Sequence, residues 1–146
     1  MPRIAVKKLD ERAVLPTYGS EFAAGADLYA VLDEELTILP GETKLVKTGL
    51  AMEIPEGYAG LIYARSGLAA KRGLAPANKV GVVDADYRGE VMVGLHNHSD
   101  KAYTVQPGER IAQLVLLEVP AWETEEVESL DETERGTGGF GSTGSR

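Results

Sequence analysis

Apolar residues recur at every second position in short runs, and turn-forming residues separate these runs from residue 3 to residue 119. Successive side chains of a β-strand point to opposite faces, so a period of two indicates strands with one buried face. The alternating residues are Leu50, Met52 and Ile54; Val91, Val93 and Leu95; and Ile111, Val115, Leu117 and Val119. The turn signals between the runs are Pro40-Gly41-Glu42, Pro55-Glu56-Gly57, Tyr87-Arg88-Gly89 and Pro107-Gly108-Glu109. Turns at this density predict an all-β protein, a jelly-roll-like β-sandwich or barrel.

One segment departs from this period and predicts a short helix over residues 67–72. Ser66 precedes the segment as the expected N-cap, and Gly73 follows it as the expected stop. Because the backbone amides at a helix N-terminus attract anions, we expect Ser66 to face an anionic group.

Composition limits the classes of function that this chain could have. Its 146 residues, 43% of them hydrophobic, suit a single domain with a real core. The net charge of −8 argues against binding to long nucleic acid. The chain could still bind a small phosphorylated ligand whose charge is neutralised by local cations or a metal. The chain has no cysteine, no apolar run of membrane-spanning length and no signal-peptide pattern. We therefore expect a cytoplasmic protein without a membrane partner.

The C-terminal part of the chain has a different composition from the rest. We predict a core of residues 1–122 and, over residues 123–146, an acidic tether followed by a flexible glycine-rich arm. This segment has too few large apolar residues to fold alone, so we expect the arm to dock on a ligand or a neighbouring subunit. Glycine amides would cradle an anion, Arg135 would add charge, and Phe140 would offer a flat face to a base. A solvated Gly/Ser tail is the alternative interpretation of the same composition.

Several motif matches carry no function. Gly136, Gly138 and Gly141 match GxGxxG, and residues 139–146 begin like a Walker sequence. No helix follows either match, and the Walker lysine is missing. Ser66 lacks the preceding glycine of a hydrolase nucleophile elbow. His96 and His98 have the spacing of metal ligands, but no third ligand accompanies them, which favours a structural or surface role.

The densest polar cluster in apolar surroundings is residues 81–90. We expect a hairpin here with its turn at residues 86–89, in which Asp86 and Glu90 are ordinary turn residues. Asp84 follows Val82 and Val83, which predicts a carboxylate at the buried end of a strand. A carboxylate in that position needs partners and is suited to act as a general base.

Five segments of the chain, in this order, resemble the five motifs of the trimeric dUTPase family, in its bacterial type. They are Ala24-Gly25-Ala26-Asp27-Leu28, Arg65-Ser66-Gly67-Leu68-Ala69, Gly81 to Glu90, Gly108-Glu109-Arg110-Ile111-Ala112-Gln113-Leu114, and Arg135 to Gly144. One such match would be weak evidence, whereas five in register are strong. The resemblance implies hydrolysis of dUTP to dUMP and pyrophosphate, which supplies dUMP for thymidylate synthesis and keeps uracil out of DNA.

The resemblance implies a role for individual residues at the nucleoside end of the substrate. Asp84 would orient and activate the water that attacks the α-phosphorus. Tyr87 would lie under the deoxyribose and leave no room for a 2′-hydroxyl. Asn78 would read uracil together with main-chain groups near Val82 and Val83. Met92 is a further candidate for the pocket lining, or else a plain core residue.

At the phosphate end, the resemblance implies that Arg65, Ser66, Gly67 and Gln113 bind phosphates. For Arg110 two interpretations stay open: a contact to phosphate, or a structural ion pair with an acidic neighbour.

The metal and the arm complete the implied site. Asp27 would reach Mg²⁺ through water, with the metal held mainly by triphosphate oxygens. Phe140 would stack on uracil while neighbouring arm residues close over the phosphates. These arm residues are Arg135, Gly141, Ser142 and Thr143. The family also implies a homotrimer in which the active sites are shared between subunits.

Two alternatives remain open at this point. The same fold carries dCTP deamination, alone or combined with dUTP hydrolysis, but the glutamate acid/base of that activity has no counterpart that we can identify here. A non-catalytic jelly-roll module for binding or regulation is the second alternative, because a fold alone does not define a function.

Overall fold

The computed structural model describes residues 1–145, and its regular structure is almost entirely β. Eleven strands and one helix follow each other along the chain. They are β1 (Ala5–Lys8), β2 (Thr17–Tyr18), β3 (Ala26–Tyr29), β4 (Leu36–Ile38), β5 (Thr43–Glu53), β6 (Tyr58–Tyr63), α1 (Ser66–Arg72), β7 (Leu74–Pro76), β8 (Gly81–Val83), β9 (Glu90–Asn97), β10 (Tyr103–Val105) and β11 (Arg110–Glu118).

The strands form three antiparallel sheets. One has the order β1-β5-β9-β7, a second has the order β2-β3-β11-β6-β8, and a short third sheet pairs β10 with β4. The buried apolar residues of these sheets form one core cluster. This architecture confirms the predicted jelly-roll-like β-sandwich.

The predicted alternation is confirmed in β9 and is partly wrong in β11. Val91, Val93 and Leu95 are all buried. In β11 the pairing with β3 shifts between Arg110 and Ala112, so the inward face changes from odd to even positions. Ile111 is therefore buried together with Ala112 and Leu114, whereas the predicted core residues Leu117 and Val119 are exposed.

The hairpin predicted around residues 86–89 is wrong. β8 pairs with β6 in the five-stranded sheet, whereas β9 pairs with β5 and β7 in the four-stranded sheet. The chain between Asp84 and Gly89 thus crosses from one sheet to the other. This crossing holds the polar cluster at the edge of the sandwich.

The helix is confirmed with a different N-terminus. α1 spans Ser66–Arg72, and its N-cap is Arg65, with extended backbone (φ −89°, ψ 133°) and no side-chain capping bond. Ser66 is the first helical residue, so its expected role as N-cap is wrong. Gly73 ends the helix as predicted, at φ 75°, and its N–H donates to the carbonyls of Ala69 and Leu68.

Beyond β11 the chain leaves the sandwich. The N–H of Val119 donates to the carbonyl of Gly57 over 2.8 Å, and no helix or strand is assigned from residue 120 to residue 145. Arg146, the end of the predicted arm, lies outside the described residues. No helix within residues 1–145 has the length and apolar content needed to cross a membrane.

Candidate active site

Asp27 and Gln113 lie side by side on neighbouring strands. In the register of the five-stranded sheet, Gln113 of β11 faces Asp27 of β3 on one side and Tyr63 of β6 on the other. Residues paired in this way present their side chains to the same face. The chain then continues from β6 through Arg65 into α1, which brings the second motif to the same end of the sheet.

Two arginines hold the buried carboxylate of Asp27, a residue that is only 9% exposed. Arg65 Nε donates to Oδ1 over 2.9 Å, and Arg110 Nη1 donates to Oδ2 over 3.4 Å. Arg65 also donates from Nη1 to the carbonyl of Arg110 over 3.4 Å. Of the two interpretations of Arg110, this geometry favours the structural ion pair. The side chain of Arg65, which is needed for this pair, does not cap α1.

Gln113 is held from two directions. Its amide Nε2 donates to the carbonyl of Ala64 over 2.9 Å. On the other side it packs against Gly25, where an added Cβ would lie 3.1 Å from Cβ of Gln113 and closer still to its amide oxygen. Gly25 of the first motif is therefore needed for close packing with the fourth.

These groups surround a small polar pocket of about 170 Å³. Its lining residues are Gly19, Ala23, Gly25, Asp27, Arg65, Ser66, Gly67 and Gln113. Ser66 and Gly67 are exposed at its edge, at the start of α1. The structure thus brings Asp27, which the resemblance assigned to the metal, together with the residues of the second and fourth motifs that it assigned to phosphate.

The second group of predicted site residues lies along β8 and the crossing loop. Asn78 precedes β8, and its Nδ2 lies 3.5 Å from the position that a Cβ on Gly81 would take. Val83 points into the core and Val82 outward. Asp84 is exposed in this chain, so its expected burial is wrong. The cause is that β8 ends at Val83, and Asp84 already belongs to the loop.

Tyr87 and Met92 lie near the start of β9. Tyr87 Oη donates to the main-chain carbonyl of Glu90 over 2.8 Å. Met92 is 37% exposed, on the opposite face of β9 from Val91 and Val93, which excludes it from this chain's core. Of the two interpretations of Met92, its exposure favours the lining of a surface site.

Sequence reasoning missed Glu90, which it assigned to an ordinary turn. The Oε2 atom of Glu90 accepts a 2.9 Å hydrogen bond from the N–H of Gly49 in β5. The two residues are 41 positions apart, so only the register of β5 and β9 reveals the contact.

The third group lies in the arm. Arg135 Nε donates to the carbonyl of Gly138 over 2.8 Å, and a Cβ on Gly138 would lie 3.2 Å from Oγ of Ser142. Arg135 and Ser142 therefore lie at the same turn of the arm. Phe140 beside them is fully exposed. Gly141 and Thr143 lie in the same exposed stretch.

A family model described as dUTPase matches residues 11–144 of this chain. The chain belongs to the dUTPase family. Among curated proteins, the deoxyuridine 5'-triphosphate nucleotidohydrolase of Syntrophotalea carbinolica is 50% identical over 141 residues, covering 97% of this chain and 96% of that protein. The resemblance stated from the five motifs is therefore confirmed.

Solved dUTPase structures share the fold. A variant of the Staphylococcus bacteriophage 80alpha dUTPase, solved with dUpNHpp, has a TM-score of 0.89 at 30% identity and covers 99% of each chain. A variant dUTPase from phage phi11 of S. aureus, described for its coordination of a structural Mg(II) ion, has a TM-score of 0.78 at 28% identity. It covers 88% of this chain and 98% of that chain.

Within residues 1–145, the three groups of predicted site residues are not joined to one another by hydrogen bonds. Among residues 1–145, no hydrogen bond or ion pair joins the pocket around Gln113 to the loop from Asp84 to Gly89. The side-chain hydrogen bonds of the arm stay within the arm.

Neither the histidines nor the carboxylates of this dUTPase build a preformed metal cluster within residues 1–145. His96 Nδ1 lies 2.9 Å from Oγ1 of Thr43 on the neighbouring strand, which accords with the structural role expected from the sequence. Asp27 is the acidic side chain at the small polar pocket, and each of its oxygens accepts one bond from an arginine. A carboxylate oxygen has a second lone pair, which leaves room for a contact to metal-bound water.

Proposed function

We propose that this dUTPase hydrolyses dUTP to dUMP and pyrophosphate, by attack of water on the α-phosphorus. The observation that carries the proposal is the pocket in which Ser66, Gly67 and Gln113 meet beside the Asp27–Arg65 pair. The name of the Syntrophotalea relative, a deoxyuridine 5'-triphosphate nucleotidohydrolase, supports it. In a cell this reaction supplies dUMP for thymidylate synthesis and keeps uracil out of DNA. The cytoplasmic location stays a prediction.

In this proposal, the residues around the small pocket bind the phosphates. The Ser66 hydroxyl and the first amides of α1 donate hydrogen bonds, and the Gln113 amide and Arg65 add polar and charged contacts. The carboxylate of Asp27 accepts hydrogen bonds from Arg65 and Arg110. These bonds fix where the two guanidinium groups lie and neutralise part of their charge. The pocket is thereby set for an anion before the substrate arrives.

The loop between the sheets binds the nucleoside in this proposal. Asp84 orients the attacking water and accepts its proton as the bond to phosphorus forms. Tyr87 fills the space beside the sugar where a 2′-hydroxyl would lie. Asn78 and the main chain at Val82 and Val83 pair with uracil, and Met92 lines the pocket. A cytosine would present its donor and acceptor exchanged and leave buried polar groups unpaired.

Mg²⁺ is the cofactor of the proposed reaction. Asp27 would hold it through a water molecule, with triphosphate oxygens as the main ligands, as the octahedral preference of the ion favours. The ion would neutralise phosphate charge, so that a chain with a net charge of −8 could hold a polyanion. The structural Mg(II) ion described for the phi11 dUTPase supports the presence of this metal in the family.

The active form in this proposal is a homotrimer with shared sites. One subunit supplies the phosphate pocket and another supplies the loop with Asp84. The arm of a subunit closes over the nucleotide, with Phe140 on uracil and Arg135, Ser142 and Thr143 over the outer phosphates. Residues 123–134 serve as the tether, which raises the effective concentration of the arm at the site. The full exposure of Phe140 supports this arrangement, since it has no partner within its own described chain.

The test is a substrate panel of dUTP, dCTP, dTTP and UTP with Mg²⁺, assayed for release of pyrophosphate. We expect turnover of dUTP and little of the other three. Deamination of dCTP would contradict the proposal in favour of the sister activity. Binding of dUTP without any turnover would contradict it in favour of a non-catalytic module.

A further inference from the structure

Glu90 lies where the loop of the proposed sugar site enters the sandwich, and its side chain is tied to another strand. Its carboxylate Oε2 accepts a 2.9 Å hydrogen bond from the N–H of Gly49, where Gly49 is buried and Glu90 is partly buried. A hydrogen bond from a backbone amide to a carboxylate is charge-assisted and stronger than a neutral one. Loss of the acceptor would leave the Gly49 amide without its partner.

The amide that Glu90 holds belongs to a bulge of β5. β5 pairs with β9 up to Lys47 and again at Ala51, which faces Glu90, and the register shifts in between. Gly49 in this bulge has φ 68°, and an added Cβ would lie 2.9 Å from Cβ of Ala13. Only glycine fits this conformation and this space. The bulge is therefore fixed in position by its packing.

Two side chains take the place of ladder hydrogen bonds at this bulge. The hydroxyl of the buried Thr48 donates to the carbonyl of Val91, and the carboxylate of Glu90 accepts from Gly49. Both bonds stabilise the start of β9. Only Glu90 also contacts the loop of the proposed sugar site.

The main chain of Glu90 holds Tyr87. The phenol Oη of Tyr87 donates to the Glu90 carbonyl over 2.8 Å. The ring lies so close over Gly89 that a Cβ there would be 2.6 Å from ring atom Cζ. The orientation of Tyr87 thus depends on where the backbone of residues 89–90 lies, and the Glu90 carboxylate fixes that backbone against β5.

We propose that Glu90 is a positioning residue. Through Gly49, its carboxylate fixes the main-chain carbonyl that orients Tyr87, and it thereby sets the discrimination between deoxyribonucleotide and ribonucleotide triphosphates. This inference rests on the proposed function, in which Tyr87 lies beneath the deoxyribose. If Tyr87 is free to move, room opens for a 2′-hydroxyl. The kcat/KM for UTP then rises relative to that for dUTP.

The test measures kcat and KM for dUTP and for UTP in matched variants. Glu90→Ala is expected to lower the ratio of kcat/KM for dUTP over UTP by about tenfold, the lower end of the discrimination that a pocket achieves against one extra group. Glu90→Gln keeps a side-chain oxygen for the Gly49 amide and should restore the wild-type ratio. Thr48→Val removes the other side-chain bond of the same bulge, so it should lower the melting temperature and leave the ratio unchanged.

A second route keeps the test decisive if Glu90→Ala does not fold. Tyr87→Phe keeps the ring and removes only the O–H that binds the Glu90 carbonyl, so it should also lower the ratio. Where both variants fold, the ratio should fall little further in the double variant than in either single variant, because both changes act through one contact. An unchanged ratio in Glu90→Ala or in Tyr87→Phe, or an equal loss in Thr48→Val, would overturn the inference. Failure of the proposed function is a separate result, because the wild-type chain would then release no pyrophosphate from dUTP.

Discussion

Lys79 and Phe140 are the two non-glycine residues with positive φ among residues 1–145, at 67° and 51°. A left-handed backbone costs a residue with a side chain about 1–2 kcal/mol. Such strain is concentrated at binding sites, where the surrounding structure maintains it. Lys79 follows Asn78, which we propose as a reader of uracil, and Phe140 is the proposed stacking residue. The backbone strain therefore falls at the two segments assigned to the base.

Motifs predicted which residues carry the chemistry, but sequence could not show the surroundings of those residues. The arginine partners of Asp27 are 38 and 83 positions away from it, so no local pattern pairs them. Asp84 was expected to be buried because two apolar residues precede it, yet the strand ends before it. The contact of Glu90 was missed because its partner, Gly49, lies on a different strand.

Asp84→Ala should abolish turnover of dUTP while nucleotide binding is largely kept. The change removes the group that activates water but none of the groups assigned to the phosphates. Pyrophosphate release and calorimetric titration with a nucleotide measure the two effects. Asp86→Ala is the matched control, because this exposed neighbour in the same loop has no role in the proposed site and should leave turnover unchanged. Near wild-type turnover in Asp84→Ala would remove the residue from the mechanism.

The Asp10–Arg12 pair gives a prediction for stability against pH. Hydrogen bonds from Arg12 lower the pKa of Asp10 from 3.8 to about 2. A lowered pKa in the folded chain stabilises the fold above the unfolded pKa, and the effect is lost as the pH falls toward the folded one. Between pH 4 and pH 2, roughly, the stability of the wild-type chain should therefore fall more steeply than that of Asp10→Asn. Melting temperatures across this range check it, and parallel curves would contradict it.

At the scale of the elements, periodicity predicted the strands and failed at the bulges. The runs in β5 and β9 were found because their alternation is local. The shifts in β11 and β5 were not predicted, because a bulge reverses the inward face without a sequence signal of its own. In sequence, the crossing from β8 to β9 looks like a hairpin, because crossings between sheets and hairpin turns use the same turn residues.

The start of α1 offers a way to block the phosphate pocket without disturbing the fold. A Cβ on Gly67 would meet no atom within 4 Å, yet the residue lines the pocket. Gly67→Leu should therefore melt like the wild type and lose dUTP turnover through failed binding of phosphate. Ala70→Leu adds the same bulk to an exposed position of the same helix that does not line the pocket, and it should stay active. Full activity of Gly67→Leu would show that phosphate binds elsewhere.

The arm should contribute one stacking contact. Phe140→Ala is expected to weaken nucleotide binding by about 1–3 kcal/mol, the usual value for a base stacked on an aromatic ring. Titration with a nucleotide in the presence of Mg²⁺ measures the change. The chain has one other phenylalanine, Phe22, which is also exposed, so Phe22→Ala is the matched control and should bind normally. Unchanged affinity and rate in Phe140→Ala would refute the stacking role.

At the scale of the whole molecule, the proposed chemistry depends on more than one chain. The phosphate pocket lies at one end of the five-stranded sheet, the Asp84 loop crosses between the sheets, and the arm extends from Val119 without a hydrogen bond back to the sandwich from residues 120–145. The sequence indicated this arrangement only through the family resemblance and through the composition of the arm. The composition predicts an arm that docks, but it does not show on which subunit.

Complementation between two inactive variants tests the shared site most directly. Asp84→Ala keeps an intact phosphate pocket, and Gly67→Leu keeps an intact Asp84 loop, so a subunit of each kind can together form a complete site. When the two are co-expressed in equal amounts and assemble at random into mixed trimers, about a quarter of the sites are complete. We predict that dUTP turnover returns to about a quarter of the wild-type value, measured as pyrophosphate release per trimer. A mixture as inactive as its two components would contradict the shared site, because each chain would then form its own.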